Sequence, residues 1–246
     1  MARLYAGTSG FSYPEWRGDF YPPDLPAARM LHHYSRRLPT VELNHTFYRF
    51  PSIHQVEAWR EATPPGFRFA LKAHRVITHQ RRLRDVEAPL RLLLERVDPL
   101  RDRRGPLLFQ LPPSLRRDVG LLRDFLHLLP PGPRTVEVRH PSWHDDAVYA
   151  LLEEHATPLA VMESDEDEPV LRFLGPFAYL RLHRSTYAPE ALRTWAETVR
   201  RLLTEGRDVY AFFTHNGTPG YRYAQALLET VAGSPAHPSS SNRRRM

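Results

Sequence analysis

The chain holds eight short strand-like runs, most of them alternating apolar and polar positions, and between most of those runs apolar positions recur at helical spacing. These runs predict strands at residues 4–9, 40–47, 68–74, 106–111, 135–139, 159–163, 178–183 and 209–214, and the alternation in most of them follows because successive strand side chains point to opposite faces. The stretches 27–38, 53–62, 87–97, 119–129, 147–155, 189–204 and 221–231 carry the three-to-four residue spacing of amphipathic helices. Ser142 or Asp145 marks the start of the fifth helix, and Pro219-Gly220 the start of the last. Between the sixth and seventh strands stands only the acidic segment 164–169, too short for a proper helix. Strands alternating with helices predict an α/β protein with a parallel sheet. No repeat or linker divides it, so residues 1–231 are expected to form one domain. The Ser-, Pro- and Arg-rich stretch 232–246 is expected to be a disordered tail.

The strands distinguish an open sheet from a closed barrel. A doubly wound sheet is covered on both faces and its strands are apolar throughout. Here Val41 and Leu43 oppose Glu42 and Asn44, and Phe69, Leu71 and Ala73 oppose Lys72 and His74. Leu107, Phe109 and Leu111 oppose Gln110, while Val136 and Val138 oppose Glu137 and Arg139. In the seventh run Leu180 and Leu182 oppose Arg181 and His183. One face is apolar for outer helices, and the other turns polar toward the C-terminal end of the strands. That pattern predicts a TIM-type (β/α)8 barrel with a reduced or missing helix between strands six and seven.

Composition narrows the function classes. The absence of cysteine removes disulfides, thiolate metal sites and cysteine nucleophiles. No run of about 18 apolar residues predicts a membrane span, and a strand beginning at Leu4 leaves no room for a signal peptide, so a cytoplasmic protein is expected. The net charge of +6 and pI near 9.8 favour an anionic partner only weakly, because runs such as 101–104 and 243–245 usually lie on solvated surface. A sharper signal is Lys72, the one lysine among 34 basic residues. It falls within a strand-like run, where arginine would be a poor substitute for a compact, titratable ammonium.

Strand parity collects a polar set at the barrel mouth. Lys72, Glu42, Glu137 and His183 are the candidate catalytic residues, with either carboxylate as general base and Lys72 or a histidine as acid. Asn44, His74, Gln110, Arg139, Arg181 and Asn216 are candidate substrate-binding groups, the arginines as clamps for phosphate or carboxylate. For any single charged residue, membership of a buried ion-pair network among Glu42, Glu137, Arg139 and Arg181 is an equal alternative. Of the aromatic residues in the loops, Tyr13, Tyr48 and Trp143 are expected to face a ligand, and the rest to pack the loops. No tightly bound metal or other cofactor is expected: the spacing of Glu42, His74, Glu137 and His183 matches no metal motif and nearby cations oppose one. The acidic run Asp165-Glu166-Asp167-Glu168 reads as a solvated loop. Neither a phosphate-cradling glycine loop nor a Gly-x-Ser-x-Gly elbow is present.

Six ordered motifs carry a family resemblance. They are Gly7-Thr8-Ser9-Gly10-Phe11-Ser12-Tyr13 with Trp16-Arg17-Gly18, Val41-Glu42-Leu43-Asn44 with Thr46-Phe47-Tyr48, and Phe67-Arg68-Phe69-Ala70-Leu71-Lys72 with Thr78-His79. Leu108-Phe109-Gln110-Leu111-Pro112-Pro113, Val136-Glu137-Val138-Arg139-His140 with Ser142-Trp143, and Tyr179-Leu180-Arg181-Leu182-His183 complete them. Over residues 4–231 the chain resembles the YecE-like domain-of-unknown-function family, which implies a TIM-type barrel but no activity. A relationship to endonuclease-IV-like barrels would imply nucleic-acid binding by analogy of fold. The chain departs from the family at Arg184, where glycine commonly stands, and at Thr214-His215-Asn216-Gly217, where Asn-Asn-Asp is usual. The leading expectation is an enzyme with hydrolase- or lyase-type acid–base chemistry on a small anionic substrate. The rival is a non-catalytic nucleic-acid-binding barrel.

Overall fold

A computed structural model describes residues 1–215 and 219–233. Its strands are β1 (Leu4–Ser9), β2 (Thr40–Leu43), β3 (Arg68–Lys72), β4 (Arg104–Gln110), β5 (Arg134–Glu137), β6 (Ala160–Glu163), β7 (Phe177–Leu182) and β8 (Asp208–Phe213). All paired neighbours are parallel, in the order β5-β4-β3-β2-β1-β8-β7-β6. The ends of that order meet at one bridge, Val136 with Leu159. There the Val136 N–H and the Thr135 hydroxyl both donate to the Pro158 carbonyl at 3.0 Å. The sheet is a nearly closed TIM-type barrel with a seam between β5 and β6.

The helices are α1 (Met30–Tyr34), α2 (Ile53–Glu61), α3 (Glu87–Val97), α4 (Val119–Leu128), α5 (Asp146–Glu154), α6 (Pro189–Thr204) and α7 (Gly220–Gly233). Short polar side chains start three of them by accepting otherwise unpaired N–H groups. Ser52 accepts from Gln55 N–H at 3.1 Å, Asp118 from Leu121 N–H at 2.9 Å and Asp145 from Ala147 N–H at 3.0 Å. Asp145, not Ser142, therefore caps α5. The expected helix at 27–38 is shorter, split into a 3₁₀ turn at Ala27–Arg29 and α1. It ends early because the Tyr34 hydroxyl is drawn into the barrel wall, accepting from Thr8 N–H and bonding to the Thr40 carbonyl, both at 2.9 Å. No helix or strand occupies residues 164–176, and β6 passes to β7 without a crossover helix. α7 runs two residues into the expected tail; residues 234–246 lie outside the described residues.

Alternation sorts the strand residues into two cores. Val41, Leu43, Phe69, Leu71, Phe109 and Val136 face the helices. Tyr5, Ala70, Leu108, Tyr179, Tyr210 and Phe212 fill the lower barrel interior, with Tyr5 stacked on Tyr210 at 4.8 Å between ring centroids. This aromatic plug leaves polar groups only the upper layer, where Glu42, Gln110, Glu137 and Arg181 are buried. Six of the eight strands stop short of their expected ends, β2 by four residues, β3 and β5 by two and β4, β7 and β8 by one, and the stops of β2 and β3 shape the mouth. The Thr46 hydroxyl lies 2.7 Å from both the Leu43 and Lys72 carbonyl oxygens, which turns the chain after β2 and fixes it to the end of β3. After Lys72 the chain enters a π-helical turn, Val76–Gln80.

Candidate active site

Arg181 organises the upper layer from β7. Its Nε and Nη2 donate to the two oxygens of Glu42 on β2 at 2.9 and 3.0 Å, and its Nη1 donates to Glu137 Oε2 on β5 at 2.7 Å. Glu42 also accepts from Tyr179 OH at 2.8 Å, Ser9 OH at 2.8 Å and Asn44 Nδ2 at 3.0 Å. Glu137 accepts from Gln110 Nε2 at 2.8 Å and pairs with Arg139 Nε. Burial alone would raise both carboxyl groups. The Arg181 guanidinium outweighs it, holding Glu42 at about 2 and Glu137 below the usual range. Burial and the Glu42 carboxylate push the Tyr179 phenol far up, so it remains a donor.

Lys72 differs from these neighbours. It faces inward at the end of β3, and among the described residues no carboxylate pairs with its ammonium, which sits 4.2 Å from the centroid of the Phe47 ring. Burial first, and Arg181 second, lower the amine to about 8, with Glu137 and Glu42 partly opposing the shift. His79 meets the same Phe47 ring edge-on at 4.7 Å; burial, followed by Lys72, lowers its imidazole. Arg139 spends only Nε on Glu137, so its terminal nitrogens have no partner among the described residues.

His183 follows β7 and lies 3.2 Å from Ser9 Oγ through Nε2. The single Ser9 hydroxyl proton goes to Glu42, so Nε2 carries a hydrogen and donates to Ser9, leaving the Nδ1 lone pair available. Burial, then Arg181, lower this histidine to about 3, so the ring is neutral at physiological pH.

The other candidates separate. Tyr13 sits near Glu42, but its hydroxyl is committed to the Ser9 carbonyl and its ring packs on Trp16 and His215 at 4.6 and 4.5 Å. Tyr48 stands exposed on the rim. His74 is not part of the mouth: β3 has already ended, and the ring stacks on Phe50 at 4.1 Å while bonding to the Tyr48 carbonyl at 3.2 Å. Trp143 is not a ligand-facing ring either. It is fully buried and its indole N–H donates to the Leu115 carbonyl at 2.7 Å. Asn216 lies outside the described residues. Glu42 and Glu137, expected as candidate bases, are both saturated with donors, which makes them holders of Arg181.

Ser9, Tyr179, His79 and Glu163 were not among the sequence candidates. Tyr179 reads from sequence as one more core aromatic, and Ser9 as part of a glycine-rich loop. Glu163 falls on the outer face by parity, yet it is buried and accepts from Tyr187 OH at 2.8 Å and Trp195 Nε1 at 3.1 Å, with Arg184 Nε at 3.0 Å. Arg184 also pairs with Glu168 at 2.8 Å, and Asp165 accepts from Ser185 N–H at 3.1 Å. The acidic run is an exposed loop, as expected, and two of its four residues also engage the loop after β7.

Beside Arg139 the splayed seam opens a cavity of about 270 Å³, lined by Val138, Ala160, Met162, Val170 and Glu168 among others. Among the described residues no cluster of three or more His, Cys, Asp or Glu side chains is placed to hold a metal ion, and no helix is long and apolar enough to cross a membrane.

The family model described as Protein of unknown function DUF72 matches residues 5–245. The chain is 25% identical over 259 residues to UPF0759 protein YunF of Bacillus subtilis, covering 87% of this chain and 89% of that protein. It is 34% identical over 142 residues to UPF0759 protein YecE of Escherichia coli K12, covering 57% of this chain and 50% of YecE. The crystal structure of a DUF72 family protein from Thermotoga maritima superposes with a TM-score of 0.82 at 26% identity, over 93% of this chain and 99% of that one.

Proposed function

The chain belongs to the DUF72 family of proteins of unknown function, and we propose that it is an enzyme acting on a small anionic substrate at the C-terminal mouth of its barrel. The observation that carries this reading is Lys72. In the upper layer two carboxylates, Glu42 and Glu137, balance two guanidiniums, Arg181 and Arg139. The Lys72 ammonium is left as surplus positive charge over an aromatic face, and a substrate carboxylate or phosphate would supply the missing counter-charge. The terminal nitrogens of Arg139 give such an anion a second set of donors. An amine at about 8 can gain and lose a proton near neutral pH. His183, held neutral at about 3 with Nδ1 available, is too weak a base to carry protons near pH 7 and offers the substrate a hydrogen-bond acceptor. The chemistry supported is acid–base catalysis by Lys72 with His79, while Glu42 and Glu137 hold Arg181. A chain without cysteine suits the reducing cytoplasm, where we place it.

Calorimetric titration with inorganic phosphate and with oxalate tests the reading. Saturable binding of either anion, weakened at least about tenfold (about 1.4 kcal/mol) by Lys72→Met, is the expected result. No binding to the native protein, or equal binding by the variant, overturns it. A second reading, nucleic-acid binding, draws on the exposed Tyr48 and Arg49 at the rim together with the net charge. It requires affinity for oligonucleotides that falls steeply with added salt.

A further inference from the structure

We infer that Lys72 is the nucleophile of an imine-forming site, condensing with the carbonyl of a small 2-oxo acid whose carboxylate is received by Arg139. The inference rests on the anionic-substrate reading and assigns it a substrate class. An amine attacks a carbonyl only through its lone pair, so the site must favour the uncharged form without a carboxylate clamped to the nitrogen. Lys72 meets that requirement: among the described residues it has no acidic partner, and Arg181 and Arg139 lie near enough to oppose its charge. At pH 7 an amine at about 8 leaves roughly a tenth of the molecules ready to react. A guanidinium cannot form an imine, which gives a chemical reason for a lysine here in a chain that otherwise uses arginine at 33 positions.

The surroundings supply the other parts. His79 shares the Phe47 ring with Lys72 and is held neutral by burial and by the Lys72 charge, so it can take the ammonium proton. Arg139, with Nε anchored on Glu137, keeps its terminal nitrogens without a partner among the described residues, a planar fork that could receive a carboxylate. The cavity beside it has Val138, Met162 and Val170 on one part of its walls and His144, Asp167 and Glu168 on the rest, so its apolar part could take a short substituent at the far end of the oxo acid. The Lys72 nitrogen forms a bond to the carbonyl carbon, and the carbonyl π pair moves to oxygen. Oxygen takes up a proton as nitrogen gives one up through His79, forming a carbinolamine. The ammonium proton held on His79 passes to this oxygen, which leaves as water as the nitrogen lone pair closes the C=N bond. Ammonium and carbonyl become a protonated imine and water, with no change of oxidation state.

The rest of the sequence makes the test unusually clean. Lys72 is the single lysine, so any ε-amine adduct has one possible position and the N-terminal amine serves as an internal reference. The full-length protein is incubated at pH 7 with pyruvate and sodium cyanoborohydride, and the adduct is mapped by peptide mass spectrometry. The expected result is reductive labelling of Lys72 that saturates with pyruvate and runs at least about tenfold faster than with acetone, which has the carbonyl but no carboxylate. Arg139→Gln should bring the pyruvate rate down toward that of acetone. Labelling confined to the N-terminal amine, or equal and unsaturable labelling of Lys72 by both compounds, overturns the inference. If phosphate or oxalate binding depends on Lys72 while no pyruvate adduct forms, imine chemistry fails and the anionic-substrate reading stands.

Discussion

Arg181 grips Glu42 in a two-point fork, Nε on Oε1 at 2.9 Å and Nη2 on Oε2 at 3.0 Å, although their strands stand three places apart in the barrel. Its third nitrogen reaches Glu137 across the β5–β6 seam, where the backbone ladder is reduced to one bridge. A side-chain clasp thus stands where hydrogen-bonded strands would otherwise complete the ring. Both carboxylates are consumed by this task, which leaves the Lys72 amine, without a carboxylate partner among the described residues, as the group on which the proposed anion chemistry rests.

The clasp sets the acid limit of the fold. Glu42 sits at about 2 in the folded protein against an ordinary 4.5. Its contribution is therefore fully present above about pH 4.5 and is lost as the pH falls toward 2. Glu42→Gln leaves Arg181 with an uncompensated share of its charge and should cost about 3–5 kcal/mol at pH 7. Chemical denaturation at a series of pH values checks both statements: the gap between native protein and variant should narrow between pH 4.5 and 2. A gap independent of pH would mean the fork contributes no charge-dependent stability.

Lys72→Met should behave in the opposite way. The folded state depresses this amine from 10.5 to about 8, so below pH 8 the protein carries a partly buried ammonium that the unfolded chain would hold more comfortably. Stability rises as the pH passes from about 8 to 10.5. Methionine fills similar space without charge, and after allowance for the solvent reaching the amine the variant should be about 1–2 kcal/mol more stable at pH 7. A raised melting temperature together with lost anion binding would be the signature of a residue kept for function. A destabilised variant would instead identify Lys72 as a structural residue.

The sequence pattern was legible wherever a strand persisted. Parity alone brings Glu42, Lys72, Gln110, Glu137 and Arg181 to one layer, because alternation is a property of extended backbone. It loses its meaning where the strand stops. His74 lies two residues past the end of β3 and Trp143 six past the end of β5, and each follows its own loop into packing. Arg139 and His183 also lie past strand ends yet remain at the mouth, paired with Glu137 and Ser9 respectively. The Tyr179 role was illegible for a different reason. An interior aromatic and a hydrogen-bond donor to a buried carboxylate look the same until Glu42 Oε1 is seen 2.8 Å from the phenol.

Glu163 offers a test of how a barrel manages without one crossover helix. Its carboxylate gathers Tyr187, Trp195 of α6 and Arg184, tying the end of β6 to the loop and helix that follow β7. Glu163→Ala removes the acceptor and leaves buried donors unpaired, an expected cost of about 2–4 kcal/mol. Glu163→Gln keeps one acceptor oxygen and should lose less. Urea denaturation of both variants decides the matter, and hydrogen exchange should show early loss of protection in α6 for the alanine form. Equal stability of all three proteins would show that the cluster is not a latch.

Anion binding should carry the titration of Lys72 itself. Oxalate stays fully ionised from pH 6 to 10, so a change in its affinity over that range reports on the protein. The amine is charged below its folded value of about 8, so binding should be strongest at pH 6–7 and weaken about tenfold as the pH rises to 10. Of the other groups facing the site, burial lowers both His79 and His183 below the ordinary imidazole value of 6.5, so neither titrates across pH 8, where the slope is read. Arg139 and Arg181 stay charged across the range. Lys72→Arg should abolish the slope while retaining affinity, because guanidinium keeps its charge. A native protein whose oxalate affinity is flat across pH 8 would show that the anion is held elsewhere on the surface.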